Sequence, residues 1–354
     1  MSIVAVVLAV VLTACGGGST DVPHGVDISS GRYQVKLVAF ATPKPVFDQT
    51  IPLFRESNPD IGFSQSYGAS GDQSRKVARH VPADVVNLSV APDVTRIVKA
   101  GLIDKDWEKA YPRKSVPFTS VVAVVVRPGN PKGIHDWADL LKPGVEVVTP
   151  NPASSGSAKW NLLAPYAALS NGGQDPAKGL AFVKELIRDH TKVSPGSGRD
   201  ATAAFQSGQG DVLLSYESEA VLLQRQSVKD GTPKPEYFIP PQSFRIDLPV
   251  AVVKTSEAPD AAKKFVDFLF SPEAQRAIPA SGFRSGDPAI AAETAHLFSA
   301  QPQRLWTIEE LGAVLGKGTA AKNNGKDLTG WPAVDAALFG DKGTIAAAYK
   351  NGGK

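Results

Sequence analysis

Thr149–Leu163, TPNPASSGSAKWNLL, decides how the rest of the chain reads. It follows Gly144–Val148, GVEVV, an apolar and β-branched run that predicts a short buried strand. Within and after it, Trp160, Leu163, Ala164 and Ala167 recur at helical spacing. Between strand and helix lies a loop of prolines, small residues and hydroxyls with no acidic side chain. A helix starting here presents unpaired N–H groups and the positive end of its dipole. Ser154, Ser155 and Ser157 add hydroxyls, and Gly156 lets the backbone approach closely. These are the features that hold a small oxyanion. Ordinary capping explains the loop equally well when it is taken alone, because Ser is a favoured N-cap residue.

Working outward, the same joint recurs. Tyr33–Phe40 predicts a strand, and Val46–Glu56 a helix with Phe47, Ile51 and Phe54 inward; Ala41–Pro45 is the turn between them. Ile61–Tyr67 predicts a strand opening into Gly68–Gln73, GASGDQ, and a helix through His80. Val193 runs through Ser194–Asp200, SPGSGRD, into a helix from Ala201. Asp211–Tyr216 predicts a strand feeding a helix from Glu217. Ala83–Val90, Tyr237–Pro240 and Leu248–Lys254 read as further strands, and Asp260–Ile278 as one long amphipathic helix. Strands alternating with helices predict an α/β architecture with mostly parallel sheets, whose ligands sit beyond the strands' carboxyl ends. Ser115–Ser120, which contains Pro117, leads into the apolar run Val121–Arg127 and marks a crossing between two lobes. The division expected is residues 32–120 with 241–354 in one lobe and 121–240 in the other.

The chain has 354 residues, enough for two domains, and a net charge of +3 without a basic stripe, which argues against nucleic acid. Residues 1–20 read as an export segment and tether. Ile3–Leu12 is an apolar run too short to span a bilayer, and it ends in Leu12-Thr13-Ala14-Cys15, the pattern of a bacterial lipobox. In that class Cys15 is lipidated, palmitate included. No Lys or Arg precedes the run, so a start upstream of Met1 is among the expectations. Cys15 is the only cysteine, so no disulfide is expected.

Enzyme chemistry finds little support. His24, His80, His135, His190 and His296 form no metal-spaced pair, and the Gly68 loop is neither a Walker loop nor a nucleophile elbow. Glu217 and Glu219 are two apart, do not share a helix face, and read as a solvated helix start. Ser nucleophiles have no traceable base. No cofactor and no metal are expected.

Several segments together closely resemble the periplasmic sulfate-binding proteins of bacterial ABC importers. They are PFTS (117–120), VRPGNPKGIHDWADLLKPGVEVVTPNP (126–152), SSGSAKWN (154–161), GASGDQ (68–73), GDVLLSYESEA (210–220) and FRSGDP (283–288). With the lipobox, the chain resembles the actinobacterial, mycobacterial-type lipoproteins of that family. The likeness runs from about Tyr33 to about Leu315. It implies the type II periplasmic-binding-protein fold, two lobes with a hinge and a ligand cleft between them. It also implies a monomeric lipoprotein at the outer face of the cell membrane that hands sulfate to a permease driven by a partner ATPase. Carried over by position, the ligand set is Thr42, Ser70, Ser155, Gly156, Ser157, Gly198 and Tyr216. The family has Asp at the position of Thr42, Gly at that of Ser157 and Trp at that of Tyr216. Thiosulfate, molybdate, tungstate and phosphate remain as alternative ligands, and a surface lipoprotein without transport as an alternative role.

Overall fold

Tyr33–Phe40 forms the strand its apolar content predicts, here β1, and it lies at the centre of the first sheet. In the computed structural model, residues 28–298 and 302–351 are described. Cys15 and the expected export segment lie outside the described residues. β1 pairs in parallel with β2 (Ile61–Gly68) and β3 (Val85–Asn87), and β10 (Val250–Val252) closes the order β10-β3-β1-β2 antiparallel to β3. Helix Lys44–Glu56 turns Phe47, Ile51 and Phe54 inward. There they meet Phe265 of helix Pro259–Leu269, whose ring centroid is 4.7 Å from that of Phe63 and 5.3 Å from that of Phe54.

The second sheet is mixed rather than mostly parallel. Its order is β12 (Arg304–Trp306), β9 (Gln242–Leu248), β4 (Phe118–Val126), β7 (Val212–Tyr216), β5 (Val147–Val148), β6 (Thr191–Val193); β8 (Glu236–Phe238) and β11 (Arg284–Ser285) pair beside β4. β5 is parallel to β6 and β7, as βα units require. β4 enters from the first lobe and runs antiparallel to β7, β8, β9 and β11. The two chain crossings lie side by side: Phe118 pairs with Leu248, and Pro249 follows at once. Pro117 O accepts from Gln275 Nε2 at 2.8 Å and from Gly286 N at 3.0 Å, while Pro249 O accepts from Leu88 N and Asn87 Nδ2. Each crossing thus carries a proline, which has no N–H to donate and is held through its carbonyl.

Three expectations are corrected. Asp260–Ile278 is not one helix: it breaks after Leu269 and restarts at Pro272, capped by Ser271, whose hydroxyl accepts from Ala274 N. Pro272 cannot continue the helical ladder but suits a first turn. Gln242–Leu248, which buries Ser243, Phe244, Ile246 and Leu248, forms a strand that the reading above does not anticipate. Glu217 and Glu219 are not solvated but fully buried. Residues after 303 add β12 to the second sheet and place Trp331 against Trp160 at 4.8 Å between ring centroids.

Before the first crossing, Arg113, Lys114 and Ser115 all take the left-handed conformation, with φ of 55°, 58° and 60°. Each costs roughly 1–2 kcal/mol for a residue with a Cβ. The described residues include no helix long and apolar enough to cross a membrane.

Phe265→Ala removes the ring shared by Phe54 and Phe63 and is expected to lower unfolding stability by about 3–5 kcal/mol, read by denaturant titration.

Candidate functional site

Several helices begin near the interface of the two lobes without a cap from their own N-cap side chain. Helix Lys44–Glu56 follows Pro43, helix Ser70–Ala78 follows Ala69, helix Gly156–Leu169 follows Ser155, and helix Glu217–Asp230 follows Tyr216; none of the four N-cap side chains makes a capping hydrogen bond. A fifth, Gly198–Gln206, is capped by Ser197, whose hydroxyl accepts from Asp200 N. Each N-terminus carries N–H groups that the helix cannot satisfy.

The seven expected residues form one connected group. A methyl carbon at Gly198 would lie 2.9 Å from Ser157 Oγ and 3.2 Å from Thr42 Cγ2. The Ser157 side chain stands close enough to the Tyr216 hydroxyl to lower its titration. That hydroxyl lies 2.7 Å from Ser89 Oγ. A methyl carbon at Gly156 would lie 2.8 Å from Ser89 Oγ and 3.3 Å from Ser70 Cβ. Ser155 stands beside Gly156 as its N-cap. The chain thus runs from Thr42 through Gly198, Ser157, Tyr216, Ser89 and Gly156 to Ser70, alternating between elements of the two sheets. All of its hydroxyl-bearing residues are buried, and Thr42 Oγ1 has no partner within the protein. A buried hydroxyl left unbonded costs about 1–3 kcal/mol unless a ligand or water meets it.

Ser89, Asp93 and Trp160 belong to the site and escape the sequence reading. Ser70 Oγ donates to Asp93 Oδ2 at 2.6 Å and accepts from Ser89 N at 3.0 Å. Arg96 Nη1 holds the other carboxylate oxygen of Asp93 at 2.7 Å. Trp160 Nε1 donates across the interface to Ser89 O at 2.7 Å. Gly71 N donates to Ser154 O at 3.0 Å, a further backbone link between the lobes. The available signal was NLSVAPD (87–93), a strand end followed directly by a Pro in the first helical turn, which is one more joint of the recurring type.

Among the described residues, the contacts that link this group involve no Lys or Arg side chain. The carboxylates behind it are neutralised where they stand. Glu219 Oε2 accepts from Thr202 Oγ1 at 2.8 Å, and its other oxygen lies 3.0 Å from Arg199. Glu217 takes two hydrogen bonds from Arg284, at 2.7 and 3.0 Å. The pocket therefore offers dipoles and hydroxyls against a locally balanced background. Burial, the largest influence, pushes the Tyr216 hydroxyl well above its ordinary range, outweighing the hydrogen bonds to Ser89 and Ser157 that pull it down. Tyr216 accordingly stays a neutral hydroxyl, able to donate and to accept.

His190 is buried rather than superficial, with Nδ1 3.0 Å from Val145 O. Among the described residues, no group of three His, Cys, Asp or Glu is placed to hold a metal ion.

Residues 35–284 match the family model for bacterial extracellular solute-binding proteins. The chain is 36% identical over 343 residues to the sulfate-binding protein of Synechococcus elongatus, covering 94% of this chain and 91% of that one. It is 33% identical over 272 residues to the thiosulfate-binding protein of Escherichia coli, covering 75% and 79%. The solved sulfate-binding protein SubI from Mycobacterium tuberculosis H37Rv superposes with a TM-score of 0.78 at 49% identity, covering 87% of this chain and all of that one.

Gly156→Ala places a methyl carbon 2.7 Å from Ser89 Cβ, inside van der Waals contact. The variant is expected to hold the lobes apart, seen as a larger radius of gyration than the parent by small-angle X-ray scattering under identical conditions.

Proposed function

The chain belongs to the bacterial extracellular solute-binding proteins, among their sulfate-binding members, and we propose that it captures sulfate outside the cell for an ABC importer. The observation that carries this reading is the convergence of uncapped helix N-termini on buried hydroxyls, one of them, Thr42 Oγ1, without any partner. The bound ion would be held by backbone N–H groups at Ser70, Gly156, Ser157 and Gly198 and by the hydroxyls of Thr42, Ser155, Ser157 and Tyr216. Each hydrogen bond to a charged partner is worth about 1.5–3 kcal/mol, and several together replace the ion's water. Ser70 Oγ has its proton on Asp93, so we assign Ser70 a backbone role in ligand binding and a hydroxyl role in fixing its own loop.

Sulfate carries no proton at neutral pH. Hydrogen phosphate brings one that needs an acceptor, and the nearby carboxylates are already engaged: Asp93 by Ser70 and Arg96, Glu217 by Arg284, Glu219 by Thr202. Thiosulfate is the second reading, favoured by the similarity to a thiosulfate-binding protein. The lobes would close over the ion and present the closed form to the permease, with ATP hydrolysis in a partner subunit. We also propose lipid anchoring at Cys15 and a monomeric state.

Calorimetric titration with sulfate, thiosulfate, molybdate and phosphate, after removal of any co-purified anion, tests the reading. Sulfate is expected to bind most tightly, and Tyr216→Phe to weaken it about tenfold or more. Strongest binding of another anion would reassign the ligand, and no binding of any would end the solute-binding reading. The raised Tyr216 value gives a pH prediction. The neutral phenol is favoured in the folded state, so its contribution is whole below the ordinary tyrosine value of 10.0 and is lost only as pH rises past it. Sulfate affinity should therefore be level from about pH 7 to about pH 10, where an ordinary tyrosine would be half ionised. For the anchor, Cys15→Ser is expected to abolish metabolic labelling with palmitate and to release the protein from the membrane fraction; unchanged labelling would place the lipid elsewhere.

A further inference from the structure

Ser89 stands where the two sheets meet. It lies two residues beyond β3 of the first sheet and faces Tyr216, the last residue of β7 in the second. It is fully buried, and both of its backbone polar groups are engaged. Its N–H donates to Ser70 Oγ at 3.0 Å, and its carbonyl accepts from Trp160 Nε1 at 2.7 Å. Ser70 Oγ is fixed in turn by Asp93, which Arg96 holds from its other oxygen. The Ser89 peptide is thus pinned from helix Ser70–Ala78 on one side and helix Gly156–Leu169 on the other. Its side chain is left with one neighbour, the Tyr216 hydroxyl at 2.7 Å.

Two hydroxyls in contact share one proton, and the other proton needs an acceptor elsewhere. If Tyr216 donated, the Ser89 proton would be stranded, because among the described residues the Ser89 hydroxyl has no second hydrogen-bond partner. If Ser89 donates, both protons are used. The Ser89 proton lies on the phenol oxygen, and the phenol proton is free for an anion in the pocket. A buried donor without an acceptor carries its full desolvation penalty, so the second arrangement prevails once an anion is bound. Hydrogen bonds in series also polarise one another, which strengthens the last of them.

On the sulfate reading above, we infer that Ser89 is a positioning residue, whose hydroxyl donates to the Tyr216 oxygen and so turns the phenol proton toward the anion. The two residues come from different sheets, so the pair forms only when the sheets approach as they do here. Tyr216 is then a directed donor in this arrangement and a free rotor outside it.

A double-mutant cycle, read by calorimetric titration of the full protein with sulfate, tests the assignment. Ser89→Ala keeps both backbone pins and is expected to weaken sulfate binding about fivefold or more. In the Tyr216→Phe background there is no phenol proton to turn, and Ser89→Ala should add less than about twofold. A merely structural role for Ser89 would cost the same factor in both backgrounds. Thermal unfolding of each variant shows that it remains folded. Unchanged sulfate affinity in Ser89→Ala, or an equal loss with and without the Tyr216 hydroxyl, overturns the inference while sulfate binding by the parent upholds the sulfate reading. A parent protein that binds no sulfate overturns both.

Discussion

Uncapped N-termini gathered in one buried volume are the constraint on which the rest of this structure depends. Four helices start at Lys44, Ser70, Gly156 and Glu217 with no hydrogen bond from the side chain of their own N-cap residue. Each presents the positive end of its dipole at its first turn. Such an arrangement is unfavourable when empty, and an anion with no proton of its own resolves it. The two sheets exist in this orientation to bring those ends together, and the prolines at the crossings, Pro117 and Pro249, anchor the lobes through their carbonyls.

Neutralisation behind the pocket matters as much as the donors in front. Glu217 and Glu219 lie directly after Tyr216 and would repel any anion if left alone. Arg284 and Arg199 cancel them within hydrogen-bonding or ion-pair distance. Removing an arginine from such a buried pair leaves an unpaired carboxylate, a change more costly than the pair itself is stabilising. Specificity here would thus come from fixed dipoles, with the formal charges confined to the supporting layer. The small contact distances around Gly156 and Gly198 serve the same end, because a Cβ there would press on Ser89 and Ser70 or on Ser157 and Thr42.

Much of this was legible in the sequence, and the exceptions have physical causes. β1 is where its apolar run predicts, and the joints at Gly68, Ser155, Ser197 and Tyr216 all become helix starts. Of the seven residues carried over by resemblance, Thr42, Gly198 and Ser157 are neighbours, as are Ser70, Gly156 and, through Ser89, Tyr216; their hold on the ion is part of the proposal. Ser89 was missed because it lies two residues beyond a three-residue strand, with no glycine to mark the joint. Asp93 and Trp160 were missed because their partners are distant in sequence, and periodicity cannot report a cross-lobe hydrogen bond. The buried state of Glu217 and Glu219 depends on arginines far along the chain and, in Arg284, on a two-residue strand. The long helix expected over Asp260–Ile278 failed because its apolar spacing continues through Pro272, where backbone chemistry overrides side-chain pattern.

The most direct measurement of the central claim is the position of the anion itself. Crystals grown with selenate in place of sulfate would locate it by the anomalous signal of selenium. The account predicts one dominant peak enclosed by Ser70, Gly156, Ser157, Gly198 and Tyr216, with no Lys or Arg side chain in contact. A protein that binds no selenate there, or whose main peak lies against an arginine elsewhere, would contradict it.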